Sequence, residues 1–452
     1  MGVFFAAQAL LADGWRNDVR FTIEAGVIAA IEPDATPQPG DERHAILLSG
    51  MPNLHSHAFQ RGMAGLAETR GPAADSFWSW RETMYRFALT MTPEEVEAVA
   101  AQLYVEMLEA GFTRVGEFHY LHHDRDGTPY ADIAEMAGRI AAACVTTGIG
   151  LTLLPVFYAR SGFGGGAPGD GQRRFTNGLD GYARLLDRCR VSVAGLDGAI
   201  VGLAPHSLRA ATPEDLAAIL TLAEGGPVHI HIAEQMKEVE DCLAWSGQRP
   251  VEWLLDHAPV DDRWCLIHAT HMTEAETLRM AATGAVAGLC PITEANLGDG
   301  TFKAPTFTEA GGRFGVGSDS NVLIGLSDEL RQLEYSQRLA HRARNVMAVA
   351  GGSTGRALFE GALRGGRAAL GVAGGGLVVG ARADLVSLDA AHVTLAGCTG
   401  DAILDAWVFA GRDTLVDCVW VAGRKLVEAG RHHGRDAIAR DFRAVVAGLR
   451  AA

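Results

Sequence analysis

Met51-Pro52-Asn53-Leu54-His55-Ser56-His57 is an apolar run that ends in two histidines two residues apart. On an extended backbone, residues i and i+2 face the same side, so both imidazoles can reach one ion from a single strand end. Taken alone, such a pair reads equally well as two polar histidines satisfied by hydrogen bonds. Its weight depends on what the rest of the chain places beside it.

From about residue 44 to residue 321, short apolar runs alternate with longer helical patterns, which marks repeated βα units and a parallel sheet. Eight runs are short enough for buried strands: 46–54, 112–118, 150–157, 200–204, 228–232, 264–267, 285–289 and 314–317. Eight parallel strands predict a closed (β/α)8 TIM barrel, whose active sites form at the carboxyl ends of the strands. His55 and His57 follow the first run, His206 the fourth, His231 and Glu234 the fifth, His268 the sixth and Asp319 the eighth. All of them fall on the face where a barrel converges. Three imidazoles and a carboxylate, from His55, His57, His231 and Asp319, suit one divalent ion. Zn2+ is favoured on ligand type, with Fe2+ and Mn2+ open.

Several helices announce their starts. Thr92-Pro93-Glu94-Glu95, Thr212-Pro213-Glu214-Asp215 and Thr273-Glu274-Ala275-Glu276 each set a threonine cap before an acidic third residue. Gly111 and Gly284 stand where helices over 93–110 and 274–283 should stop. Residues 1–43 and 376–432 are β-rich instead, and predict a small β-sandwich built from both ends of the chain. The expected division is 1–43 and 376–432 for the sandwich, 44–375 for the barrel, and 433–452 for a helical tail.

Charge and composition narrow the function. With 39 Lys+Arg against 54 Asp+Glu the formal balance is −15, which argues against nucleic acid or an anionic membrane as partner. The most apolar long stretch, 145–159, is interrupted by glycines and Pro155 and is too short to span a bilayer. Seven scattered cysteines without a CxxC suit free thiols in a reducing compartment, and residues 1–15 lack a basic leader region. A cytoplasmic enzyme is expected.

Two motifs look like decoys. The glycine-rich 162–171 segment superficially fits a dinucleotide fingerprint, but no helix opens there to hold a pyrophosphate, so a lid or surface loop is the better reading. Gly351-Gly352-Ser353-Thr354-Gly355 fits GxSxG, yet residues 341–350 read as helical, where a nucleophile elbow needs a strand.

With HxH after run one, histidines after runs five and six and aspartate after run eight, the chain resembles the amidohydrolase superfamily. Gly380-Ala381-Arg382-Ala383-Asp384-Leu385-Val386 looks like the turn by which that superfamily returns to its small β-domain. Binuclear members carry a bridging lysine after strand four, whereas this chain has Ala204-Pro205-His206-Ser207-Leu208-Arg209, so the resemblance implies a single metal. His231-Ile232-Ala233-Glu234 is similar to the HxxE pattern of deaminating members, in which the glutamate shuttles a proton.

Asn53-Leu54-His55-Ser56-His57-Ala58-Phe59-Gln60-Arg61 and Asp75-Ser76-Phe77-Trp78-Ser79-Trp80-Arg81 resemble members that deiminate a linear formimino dicarboxylate. The resemblance implies that Gln60 contacts the formimino group, that Arg81, Tyr120 and Arg209 hold the carboxylates, and that His206 supports the substrate. It also implies a homodimer. The physical reading of the arginines agrees, because a dicarboxylate entering so acidic a protein needs guanidinium forks. Trp78 and Trp80 either shape a lid or simply pack. The expected chemistry is metal-assisted attack of water, with Asp319 accepting its proton, Glu234 protonating the leaving nitrogen and His268 stabilising the tetrahedral intermediate. The rival within the superfamily is a nucleobase aminohydrolase.

Overall fold

The computed structural model describes residues 2–70, 77–374, 376–411 and 415–451. Asp75 and Ser76 of the quoted motif lie outside the described residues. Eight parallel strands form the barrel: β1 (Met51–Ser56), β2 (Phe112–His119), β3 (Gly150–Phe157), β4 (the short pieces Ile200–Val201 and Ala204–Pro205), β5 (Val228–Ile232), β6 (Trp264–His268), β7 (Val286–Leu289) and β8 (Arg313–Val316). Strands β1 to β4 pair in order, as do β5 to β8.

Two seams close the cylinder, and both run through the chemistry. Between β4 and β5 the His231 N–H donates to the His206 carbonyl at 3.0 Å. Between β8 and β1 the Asp319 N–H donates to the His55 carbonyl at 3.0 Å, and the His57 N–H donates back to the Asp319 carbonyl at 3.1 Å. Gly317 makes the second seam possible, since a Cβ there would lie 2.8 Å from the backbone nitrogen of His55. Every residue of β2, β3, β5 and β6 is buried, as expected of strands covered on both faces.

The capping threonines act as their sequence suggests. Thr92 Oγ1 accepts from the Glu95 N–H, and the Glu95 carboxylate accepts from the Thr92 N–H at 2.7 Å, starting the helix Pro93–Glu109. Thr212 with Asp215 and Thr273 with Glu276 repeat the arrangement. Each such cap is worth about 1 kcal/mol.

Two local readings need correction. The run 46–54 is two strands: Glu42–Ser49 belongs to the outer sheet and only Met51–Ser56 to the barrel. The break falls at Gly50, where a Cβ would stand 2.3 Å from the Thr113 side chain and where the N–H donates to the Asp384 carbonyl. Residues 342–350 are not helical: the helix Leu326–His341 stops at Arg342, which takes the left-handed conformation with φ +52°. Ser353 is still no nucleophile, because its hydroxyl caps the helix Thr354–Ala369 and binds Asp405 at 2.9 Å.

Both chain ends build one eight-stranded sheet. Its order is Arg431–His432, Arg424–Glu428, Val416–Val421, Leu385–Leu388, Glu42–Ser49, Gly2–Leu11, Gly14–Glu24, Val27–Glu32. The sandwich is thus a single sheet that curls over a core of its own, with Phe21, Leu47, Leu385 and Trp420 inside, until Val27 bridges back to Arg382. In the turn before Leu385 the Asp384 carboxylate accepts from the Ala422 N–H at 2.9 Å, tying the returning chain to its neighbour. The terminal helix Arg435–Ala451 packs on Pro93–Glu109 and joins it through the Arg435–Glu109 ion pair. Among the described residues no helix is long and apolar enough to cross a membrane.

Candidate metal centre and active site

The carboxyl ends of β1, β5 and β8 bring His55, His57, His231 and Asp319 together, with one ligand atom from each lying within 4.8 Å of the others. His55 Nε2 and His231 Nε2 are 3.1 Å apart, and Asp319 Oδ1 lies 3.2 Å from His57 Nε2 and 3.5 Å from His55 Nε2. The strands themselves aim two of the rings. His57 Nδ1 donates to the Phe118 carbonyl at 2.9 Å and His231 Nδ1 to the His206 carbonyl at 3.1 Å, so each leaves Nε2 as a lone-pair donor. Burial pushes His55 down to about 3 and holds His231 well below the ordinary imidazole range, so both are neutral. Against its burial, the adjoining imidazoles of His55, His57 and His268 hold the Asp319 carboxyl well below the usual carboxylate range. Neutral imidazoles around an ionised carboxylate are the donor set a divalent cation requires.

Around these groups the backbone is strained. His268 has φ +66° and Asp319 φ +46°, a region that residues other than glycine seldom adopt. A buried polar network holds the Asp319 turn against β1: Asn53 exchanges hydrogen bonds with Ser318, Ser318 Oγ donates to Asn321 at 2.6 Å, and Asn321 Nδ2 donates to the His57 carbonyl at 3.0 Å.

Glu234 and His268 face each other beside the cluster, with His268 Nε2 3.7 Å from both Glu234 Oε1 and Asp319 Oδ2. Burial raises the Glu234 carboxyl to about 7, with His268 opposing and Asp319 adding to the rise. Burial would lower His268, but the carboxylates Glu234, Glu294 and Asp319 raise it to about 10. Glu234 does not cap the helix Met236–Ser246; its N–H is taken up by Glu238 at 3.2 Å, and its side chain lines the cavity.

That cavity, of ≈ 280 Å³, opens above the cluster. The remaining sequence-derived residues, Gln60, Arg81, Tyr120, His206 and Arg209, all line it. Gln60 Nε2 donates to the Tyr120 hydroxyl at 2.8 Å, while its buried Oε1 has no hydrogen-bond partner among the described residues. The Arg81 and Arg209 guanidiniums lie 4.4 and 5.8 Å from the centre of the same indole, that of Trp78. Burial would lower Arg209, but Glu238 and Glu234 raise it, so it stays charged. Burial and then Arg209 push His206 well down, leaving it neutral. Trp80 also lines the cavity, as do Ser161 and, from the glycine-rich segment, Gly162 and Phe163, with Phe163 stacked on Trp245 at 5.5 Å.

Sequence reasoning missed several groups. Tyr85 and Tyr158 also line the cavity, and Gln172 Nε2 donates to the Tyr158 hydroxyl at 2.6 Å. Glu294 faces His268 from the opposite side, with Oε1 3.3 Å from Nδ1. No motif marks these residues; only strand positions and the ligand pattern were available as signals.

Residues 46–426 match the model of the "Amidohydrolase family", and residues 1–45 match that of the "Formimidoylglutamate deiminase HutF, N-terminal domain". The formimidoylglutamate deiminase of Pseudomonas aeruginosa is 54% identical over 445 residues, 98% of each chain. A solved amidohydrolase from Brucella melitensis superposes with a TM-score of 0.97 at 64% identity, over 100% of both chains. A zinc-bound adenosine deaminase from Xanthomonas campestris shares the fold, with a TM-score of 0.84 at 22% identity over 100% of this chain and 98% of that one. The chain belongs to the amidohydrolase family. Within it, its place is with the formimidoylglutamate deiminases.

Proposed function

We propose that the chain hydrolyses the C=N bond of N-formimino-L-glutamate, releasing ammonia and leaving N-formyl-L-glutamate, as in histidine degradation. One observation carries this reading. Arg81 and Arg209, neither in an ion pair among the described residues, share a cavity with Glu234, His268 and the His57, His231 and Asp319 members of the metal-site cluster. Two guanidiniums complement two carboxylates, and the acid–base groups open into the same cavity.

His55, His57, His231 and Asp319 would hold one divalent cation, with zinc favoured by the ligand types. When bound, such an ion supplies Lewis acidity and makes a water molecule acidic near neutral pH. A single ion fits the β4 end, where His206 stands and residues 204–209 hold no lysine. His268, Cys290 and Asp319 also cluster, but burial raises the Cys290 thiol well above its ordinary range, which disfavours a thiolate ligand.

The side chains divide the proton work. Ionised Asp319 accepts a proton from the attacking water, and Glu234, poised near neutrality, delivers one to the departing nitrogen. His268 presents Nε2 to the charge that develops on the tetrahedral intermediate. Arg81, Arg209 and Tyr120 bind the glutamate carboxylates, Gln60 orients the formimino group through its open Oε1, and neutral His206 supports the substrate from β4.

A nucleobase aminohydrolase is the second reading, since an 8-oxoguanine deaminase from Pseudomonas aeruginosa is 27% identical over 68% of this chain. Nucleobases leave both arginines without a carboxylate. Ammonia release from purified, metal-analysed chain, measured with N-formimino-L-glutamate and with guanine, 8-oxoguanine and cytosine, separates the two. The proposal expects turnover of the first alone and fails if a nucleobase is preferred. Seven unpaired cysteines, six of them buried, support a cytoplasmic location. The homodimer rests on the family resemblance, and molar mass in solution tests it.

A further inference from the structure

We propose that Glu294 is a positioning residue of the deimination, acting through His268. The inference rests on the reading of the site given above and extends it to the segment after β7, to which that reading gives no metal ligand and no carboxylate-binding residue.

The helix Pro291–Leu297 follows β7 directly and lies behind the reacting groups. From it Glu294, 6% exposed, presents Oε1 to His268 Nδ1 at 3.3 Å. The other ring nitrogen, Nε2, is buried without a hydrogen-bond partner among the described residues and faces Glu234 and Asp319. An imidazole whose Nδ1 is fixed by a carboxylate has its plane and the direction of Nε2 set. That constraint matters here because His268 ends β6 at φ +66°, away from the extended backbone angles that direct side chains along a strand.

The neighbouring residue points the same way. Thr293 Oγ1 lies 3.2 Å from the Ser318 carbonyl and 3.0 Å from Ser320 Oγ, and accepts from the Ser320 N–H, gripping the turn on both sides of Asp319. One short helix thus braces two of the strained residues around the site, His268 through Glu294 and Asp319 through Thr293. A purely structural role would be the hydrogen bond from the Cys290 N–H to Glu294 Oε1, at 2.9 Å, which closes the start of this helix. Both contacts use Oε1, so glutamine keeps that acceptor for Cys290 and for His268 and removes only the carboxylate charge that holds the proton on His268 Nδ1, which isolates the role in catalysis from the structural one.

The test is a double-mutant cycle on the metal-loaded chain, with Glu294→Gln and His268→Asn made singly and together. Folding is followed by circular dichroism and metal content by elemental analysis. Glu294→Gln is expected to stay folded and metal-loaded, and to lower kcat roughly 10- to 100-fold with KM little changed. In the His268→Asn background it should add almost nothing, because its effect passes through the missing imidazole. Glu294→Ala, which also strips the acceptor from Cys290, should lower thermal stability further. Near-wild-type kcat in Glu294→Gln, or the full loss persisting in the His268→Asn background, overturns the assignment. Turnover by the unmodified chain in the same assay bears on the deiminase reading separately, so the two failures are distinguishable.

Discussion

The Nε2 atoms of His55 and His231 stand 3.1 Å apart across 176 residues of sequence. His231 is committed at Nδ1 to a backbone carbonyl, and burial keeps both rings neutral, so a lone pair of His231 faces the partner nitrogen. A shared cation there would take the Nε2 lone pair of each ring and use His57 and Asp319 as well. His57→Ala should therefore lose bound metal together with turnover. Elemental analysis of the folded variant decides this, and retention of a full equivalent of metal would remove His57 from the ligand set.

Glu234 touches no ligand nitrogen and sits 3.7 Å from His268. Glu234→Gln is expected to keep its metal while kcat falls roughly 10²- to 10⁴-fold, the usual worth of a positioned acid–base group. Steady-state kinetics on metal-quantified protein gives the answer, and kcat close to wild type would exclude a proton-shuttling role.

The arginines should act on binding rather than on chemistry. Replacing Arg209 by Leu removes a charged hydrogen-bond donor from the cavity wall, and KM for the dicarboxylate should rise roughly 10- to 100-fold. Arg81→Lys should also weaken binding, since ammonium cannot reproduce a planar fork stacked on Trp78. Comparison with N-formimino-glycine, which lacks the side-chain carboxylate, shows which carboxylate each arginine serves.

How much of this could be read in advance differs by element. Val228–Ile232 and Gly150–Phe157 were legible to the residue, because Gly226-Pro227 and Gly148 precede short runs rich in Val, Ile and Leu. The β4 strand was not, since Gly202 interrupts it and leaves two short pairs. Glycine also hid the passage from outer sheet to barrel: 46–54 reads as one mostly apolar run, and it splits at Gly50, which Thr113 crowds. The ligands were visible because strand ends in a closed barrel must converge. The left-handed backbone at His268 and Asp319, and the Asn53–Ser318 pair joined over 265 residues, left no local pattern to read.

Away from the site, His229 fills the barrel interior, with Nε2 donating to the Ala369 carbonyl at 2.6 Å, and burial lowers it to about 4. The unfolded chain binds a proton below about pH 6.5, whereas the folded chain does so only near 4. Its contribution is therefore present above pH 6.5 and is lost as pH falls toward 4, with a slope of at most roughly 1.4 kcal/mol per pH unit. His229→Gln should show a shallower decline in Tm over that window than wild type. Parallel Tm profiles would show that His229 does not titrate between the two states.

The most direct test of the metal centre is anomalous diffraction at the zinc edge from crystals of zinc-loaded chain. One peak is expected, about 2.0–2.2 Å from the Nε2 atoms of His55, His57 and His231 and from an Asp319 oxygen. Two peaks of full occupancy at the barrel mouth, or a peak that leaves any of these four residues uncoordinated, would contradict the account.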